Sequence, residues 1–84
     1  MPVTDLKSLS DFEVNTKDSK VVVHFWASWA EQCNQVDEIL NALSEVHGET
    51  IKFLRAEAEE VDDLAKKFEI SAVPTVLIGY TLAQ

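Results

Sequence analysis

The stretch Val21-Val22-Val23-His24-Phe25-Trp26-Ala27-Ser28-Trp29-Ala30-Glu31-Gln32-Cys33 decides how this chain is read. Val21 to Trp26 is β-branched or aromatic except at His24, the composition of a central strand buried on both faces. Ser28-Trp29-Ala30-Glu31 has the S-x-x-E form of a capping box, and such a box opens a helix. Val36, Ile39, Leu40, Leu43 and Val46 then recur at helical spacing, with Gly48 placed to end the helix as a left-handed residue. A buried strand thus passes into a long amphipathic helix, with the only cysteine of the chain one to two turns inside it. Helix N-terminal amides and the macrodipole favour a thiolate near such a junction, though less so past the first turn. Dithiol exchange needs a second cysteine with two residues between the pair, and Ala30 stands in that place.

Working outward, Ser10-Asp11-Phe12-Glu13 repeats the capping-box form and predicts a short helix ending near Thr16, followed by a polar turn from Asn15 to Lys20. Ile51 to Ala56 alternates as a second strand, and Val61, Leu64, Ala65 and Phe68 form one face of a short helix with an acidic first turn. Thr75 to Ile78 follows Pro74 as a further strand. Strand, helix and strand joined by a long crossover imply a right-handed parallel pair, so the fold class is α/β. With no repeat, linker or low-complexity segment, residues 1–84 are expected to form a single domain.

Fifteen acidic against seven basic residues give a formal charge of −8, which repels phosphate backbones and anionic membranes. Nucleic acid and membrane surfaces are therefore not expected as partners. No apolar run reaches the ~20 residues of a membrane helix, and Met1 to Ser10 lacks the pattern of a signal peptide. A lone cysteine forms no internal disulfide, which fits a reducing cytoplasmic setting, or a nuclear one.

Two motifs in the right order carry a family resemblance: Val-x-Phe-Trp-Ala-x-Trp-x-x-x-Cys from Val23 to Cys33, and Ile70-Ser71-Ala72-Val73-Pro74-Thr75 some forty residues later. Together they resemble the active-site strand, helix and cis-proline loop of the thioredoxin fold, a central mixed sheet flanked by helices. More narrowly, Trp29 to Cys33, Ala56 to Glu59 and Phe68 to Pro74 resemble the N-terminal thioredoxin-like domain of the multidomain monothiol glutaredoxins, the glutaredoxin-3 group. The likeness runs from Val21 to Ile78. Departures limit what it implies. The attacking cysteine of the family falls on Ala30, leaving only the resolving position, Cys33. The buried aspartate of that strand is replaced by His24. Glu31 and Gln32 replace the Gly-Pro pair, and Glu31 opposes a thiolate by like charge. The usual C-terminal strand and helix are expected to be lacking after Gly79, so that either the sequence is a fragment or a shortened product or another chain covers the edge at Thr75 to Ile78.

The resemblance implies a redox-related module without dithiol turnover, docking proteins in cytosolic redox and iron-sulfur homeostasis. Trp29, Ala30, Glu31, Gln32, Val73 and a cis Pro74 are the expected contact residues, with His24 and Trp26 structural. Glutaredoxin domains of a longer protein are candidate partners, and a dimer through Cys33 or the open sheet edge is another candidate. The chain has no Cys-Gly-Phe-Ser motif, so no cluster is expected by that route; glutathione stays open as a ligand. Against this stands a one-cysteine sensor or weak oxidoreductase, in which Cys33 forms mixed disulfides that an external thiol must release. Each residue also has a bland reading. Cys33 serves equally as a small apolar filler, His24 as a neutral buried imidazole with one hydrogen bond or as a proton relay, and Pro74 as a rigid lead into a strand. Glu57, Glu59, Glu60, Asp62 and Asp63 read as solvated acids at a helix start rather than a metal site.

Overall fold

A computed structural model describes residues 3–81. In chain order these form β1 (Val3–Asp5), α1 (Leu9–Asn15), β2 (Ser19–Trp26), α2 (Gln32–His47), β3 (Ile51–Glu57), α3 (Asp62–Lys67) and β4 (Thr75–Thr81). The strands lie in one mixed sheet in the order β1-β3-β2-β4, with β1 and β2 parallel to β3 and β4 antiparallel to β2.

The alternation of β2 sorts the core between the two faces. Val21, Val23 and Phe25 join Leu54 and Ala56 of β3, Phe12 of α1, and Leu64 and Ala65 of α3 in the larger cluster. The Phe12 and Phe68 rings meet edge to face there, 5.5 Å apart. Val22, one residue out of phase, packs with Phe53 and with Leu40 of α2. Two helices therefore cover one face and a single helix the other. A central strand needs apolar residues at every position for this, which is why β2 shows no polar alternation.

Four local expectations are corrected. Helix α1 is capped by Ser8, not Ser10: Ser8 Oγ accepts from the Asp11 amide at 3.1 Å, and Asp11 Oδ2 accepts from the Lys7 amide at 2.9 Å. Asp11 thus bonds back to the residue before the cap rather than to the cap itself, and Asp63 Oδ2 accepts the Leu9 amide as well. Helix α2 begins at Gln32 with Glu31 in the cap position and no side-chain cap. Ser28 is not its start, because Ala27 and Ala30 turn inward to pack on Cys33 and take the backbone through tight turns, with Ala30 N–H bonding the Ala27 carbonyl and Cys33 N–H the Ala30 carbonyl. Gly48 is right-handed, at φ −62°; a Cβ there would press on the Ser44 carbonyl, so close approach selects glycine. Finally, Ile39, Leu43 and Val46 of α2 are exposed, and Leu40 with half-buried Val36 makes the contact with the sheet.

Strand β1 was not expected at all. Its three residues are too few to carry a period, and parallel pairing of Val3 with Phe53 and Asp5 with Arg55 creates it. Among the described residues β4 is the last strand and α3 the last helix. None of the helices there is long and apolar enough to cross a membrane.

Candidate functional site

The C-terminal end of β2, the turn at 27–31, the first turn of α2 and the 70–74 loop meet at one end of the sheet. Ala27, Ala30 and Cys33 form a small buried cluster with Trp26 and Val73 packed against it. Cys33 is the second residue of α2, closer to the helix terminus than its spacing from Ser28 predicts, and it is only 2% exposed. The helix end is thus close to the thiol, but protein covers it. Ala30 is also buried and presents no surface to a partner, which corrects its place among the contact residues. Small side chains there let the turn close over Cys33.

The rim of this cluster is open. Trp29 is 68% exposed, and its indole Nε1 donates to Glu59 Oε1 at 3.2 Å. Val73 precedes Pro74 through a cis peptide bond. Between Trp29 and residues 70–73 runs a groove of about 260 Å³ floored by Ala27, Ala58 and Ala65. Trp29, Glu31, Gln32 and Gln35 line a second surface depression. Of the residues singled out from sequence, Trp29, Glu31 and Gln32 are exposed, Val73 is half-buried on the groove wall opposite Trp29, and Pro74 is half-buried beside it.

Beneath the rim lies a charged network that sequence reasoning missed. His24 is fully buried, and its Nδ1 lies 3.0 Å from Asp37 Oδ1. Arg55 Nη1 donates to Asp37 Oδ2 at 2.6 Å and Arg55 Nε to Asp5 Oδ1 at 2.5 Å. The guanidinium also sits 4.5 Å from the centre of the Trp26 ring. Trp26 is accordingly a half-buried platform rather than core filling. His24 Nε2 and Trp26 Nε1 are buried without a hydrogen-bond partner among the described residues. Burial pushes the His24 imidazole below its ordinary pKa of 6.5; Asp37 opposes that shift and Arg55 adds to it. The carboxylate holds one tautomer but, with Arg55 already on it, has little charge left to hold a proton on the ring. Burial works against the Arg55 charge too, yet its bonds to Asp5 and Asp37 outweigh burial and raise it.

Asp37 had a signal: one turn after Cys33, it is an acid inside the apolar stripe between Val36 and Leu40. Arg55 is likewise a cation inside the β3 run. Neither position names its partner, because the sheet register that puts His24 opposite Arg55 is set by the whole fold. Among the described residues no three acidic, histidine or cysteine side chains converge to hold a metal. Asp63 instead accepts from the Leu9 and Leu64 amides, Asp62 pairs with Lys66, and Glu59 takes the Trp29 indole.

A cysteine-bearing helix start facing a cis-proline loop is matched by the thioredoxin family model over residues 3–81. The chain belongs to the thioredoxin family. It is 42% identical to zebrafish (Danio rerio) glutaredoxin 3 over 77 residues, 88% of this chain and 23% of that protein. Against monothiol glutaredoxin-4 of Saccharomyces cerevisiae it is 35% identical over 79 residues, 88% of this chain and 32% of the relative. It thus spans a third or less of these glutaredoxins. Thioredoxin of Listeria monocytogenes is 31% identical over 75 residues, 87% of this chain and 73% of that protein. Among solved structures, Malassezia sympodialis thioredoxin superposes with a TM-score of 0.85 at 27% identity, covering 95% of this chain and 73% of that one. The four-stranded mixed sheet with three helices is therefore a thioredoxin-like α/β fold.

Proposed function

We propose that this thioredoxin-family chain is a protein-docking module that does not turn over disulfides. One observation carries the reading: the thiol that remains, Cys33, is 2% exposed beneath Ala27, Ala30 and Val73, while Trp29 at the rim is 68% exposed. Thiol exchange requires in-line access of one sulfur to another, and here the reactive atom is covered while the recognition surface around it is open. An exposed indole beside a groove is a common anchor at protein interfaces. As part of the same proposal we place it in cytosolic, or nuclear, redox and iron-sulfur homeostasis, with glutaredoxin domains as the partner class, the latter because the relatives are glutaredoxins.

Dithiothreitol-coupled insulin reduction by the chain and by Cys33→Ser tests this. Equal rates are expected, and activity above the variant would transfer the assignment to an oxidoreductase. In parallel, titration of a purified monothiol glutaredoxin domain into labelled chain should shift the Trp29 indole and Val73 amide resonances. Those shifts should survive Cys33→Ser and vanish in Trp29→Glu.

A second reading has its own observation. Cys33 lies in the first turn of α2, where the helix terminus favours a thiolate, so an opening of the 70–73 loop would yield a one-cysteine sensor forming mixed disulfides with glutathione or protein. Glutathionylation of the native chain by glutathione disulfide, reversed by free thiol, is its readout.

A further inference from the structure

Charge is sorted along this domain. Between Lys20 and Lys52, and again between Arg55 and Lys66, the chain has no lysine or arginine. Those two intervals supply the turn and helix start at 27–35 and the loop at 57–63. The charges there are all acidic: Glu31 in the first, and Glu57, Glu59, Glu60, Asp62 and Asp63 in the second. The nearest cations are engaged elsewhere. Arg55 bonds Asp5 and Asp37, Lys66 lies 3.7 Å from Asp62, and Lys7 shares a crevice with Glu57 and Glu60 rather than with Trp29. Lys17, Lys20 and Lys52 sit where β2 and β3 begin, at the opposite end of the sheet from Trp26 and Glu57. The rim around Trp29 is therefore the negative pole of the molecule.

Two unlike depressions meet at Trp29. The groove floored by Ala27, Ala58 and Ala65 is walled by Ile70 and Val73, an apolar recess that suits one aliphatic side chain. The other depression offers an aromatic wall, the Glu31 carboxylate and the amides of Gln32 and Gln35, all exposed. Glu31 makes no side-chain cap bond, so its carboxylate stays available. Glu59 holds the indole through Nε1, which fixes the ring and sets a second carboxylate at its edge. A cation is drawn to the face of such a ring, and a planar guanidinium also stacks on it.

We propose that the rim selects a basic segment of its partner, with an apolar side chain in the alanine-floored groove and an arginine or lysine two residues away in the depression of Glu31, Gln32 and Gln35, against the Trp29 indole. This rests on the docking reading above and names the chemistry of its partner. In an extended segment, side chains two residues apart point the same way at about 6.7 Å, so one segment reaches both depressions at their common wall. The acidic pole also steers a basic partner toward this end of the domain and repels an acidic one.

The test is a resonance titration of the chain with acetylated and amidated Gly-Leu-Gly-Arg-Gly, brought to millimolar concentration. Expected are shifts of the Trp29 indole and of the Gln32 and Gln35 side-chain amides. Replacing arginine by its neutral isostere citrulline should weaken binding about three- to thirtyfold. Glu31→Gln and Glu59→Gln should each weaken the arginine peptide about two- to fivefold and leave the citrulline peptide unchanged; the second substitution keeps a carbonyl for the indole. Leucine replaced by serine should cost at least about threefold, and raising NaCl from about 20 to about 300 mM should weaken the arginine peptide alone. Equal affinity for arginine and citrulline peptides overturns the proposal, as does the absence of any shift. Equal losses in Glu45→Gln, near the far end of α2, and in Glu31→Gln overturn it too, since the net charge alone would then attract the peptide. A glutaredoxin domain that shifts Trp29 equally at both salt concentrations overturns it while leaving docking in place. A glutaredoxin domain that does not bind, beside peptides that behave as expected, removes that partner class and supports the basic segment.

Discussion

Replacing Asp37 by alanine should cost this domain more than any other single surface-accessible acid. Its carboxylate bonds a fully buried imidazole at 3.0 Å and a guanidinium at 2.6 Å. Leaving His24 Nδ1 buried without a partner costs about 1–3 kcal/mol. Arg55 keeps Asp5, and its side chain remains 25% exposed, so its loss adds only about 0.5 kcal/mol. The sum, about 1.5–3.5 kcal/mol, is a large share of the roughly 4–13 kcal/mol available to a domain of this length. It corresponds to a fall in Tm of about 6–28 °C. Urea unfolding followed by tryptophan fluorescence at pH 7.5 would measure it. The decisive arm is the double-mutant cycle with His24→Leu, which removes the orphaned imidazole and should leave Asp37→Ala costing under about 1 kcal/mol, a coupling of about 1–2 kcal/mol. A loss below about 0.5 kcal/mol in the wild-type background, or the same loss in both, would refute the claim that Asp37 is there to satisfy His24.

Stability should also depend on pH through His24. Its folded pKa lies below the ordinary 6.5, so the unfolded chain takes up the proton first; stability is full above about 6.5 and falls as pH drops below it. The slope should flatten in His24→Leu, and an unchanged slope would assign the effect to the carboxylates. Cys33→Ser places a hydroxyl in an apolar cluster and should cost about 1–2 kcal/mol by denaturant melting, against about 0.5–1 kcal/mol for Cys33→Ala. In the native chain, Cys33 alkylation should run at least about a hundredfold slower than in urea, as expected when labelling waits on an opening of a few kcal/mol; comparable rates would unseat the covered-thiol reading. Ser8→Ala should lose about 1 kcal/mol as an N-cap, whereas Ser10→Ala and Ser28→Ala should stay within about 0.5 kcal/mol.

The parts of this fold that were legible are those whose signal is local and repeated. β2 could be read because six consecutive positions leave it no polar face, and α2 because its apolar residues recur over about three turns. The capping boxes were misplaced because S-x-x-E describes a local possibility that packing decides. Ser10 gives way to Ser8 so that Phe12 reaches the core, and Ser28 gives way so that Ala27 and Ala30 can cover Cys33. The apolar stripe of α2 was read as one face, yet Leu40 and Val36 meet the sheet while Ile39, Leu43 and Val46 face outward. Period alone cannot distinguish a flank that meets the sheet from one that does not. β1 and the Asp5–Arg55–Asp37–His24 chain depend on register between distant strands, and no window of sequence holds that information.

The network beside the covered thiol is poorly built for exchanging protons. A titrating site needs a group that can take up a proton near the sulfur and give it back. Here the buried group is an imidazole whose burial disfavours the charged form, anchored by a carboxylate that a guanidinium already neutralises. Protonation has nowhere favourable to go, and the ring is better suited to holding β2 and α2 in fixed relation than to relaying protons. That rigidity acts directly on the rim, because Asp37 lies one turn from Cys33 on α2 and Trp26, under Arg55, ends the strand that leads into Trp29. A docking surface gains from such stiffness, since less conformational freedom is lost on binding. If this is right, Asp37→Ala should weaken glutaredoxin-domain binding at the Trp29 rim even at temperatures where the variant remains folded, while Ser8→Ala, which destabilises the far side of the sheet, should leave it unchanged.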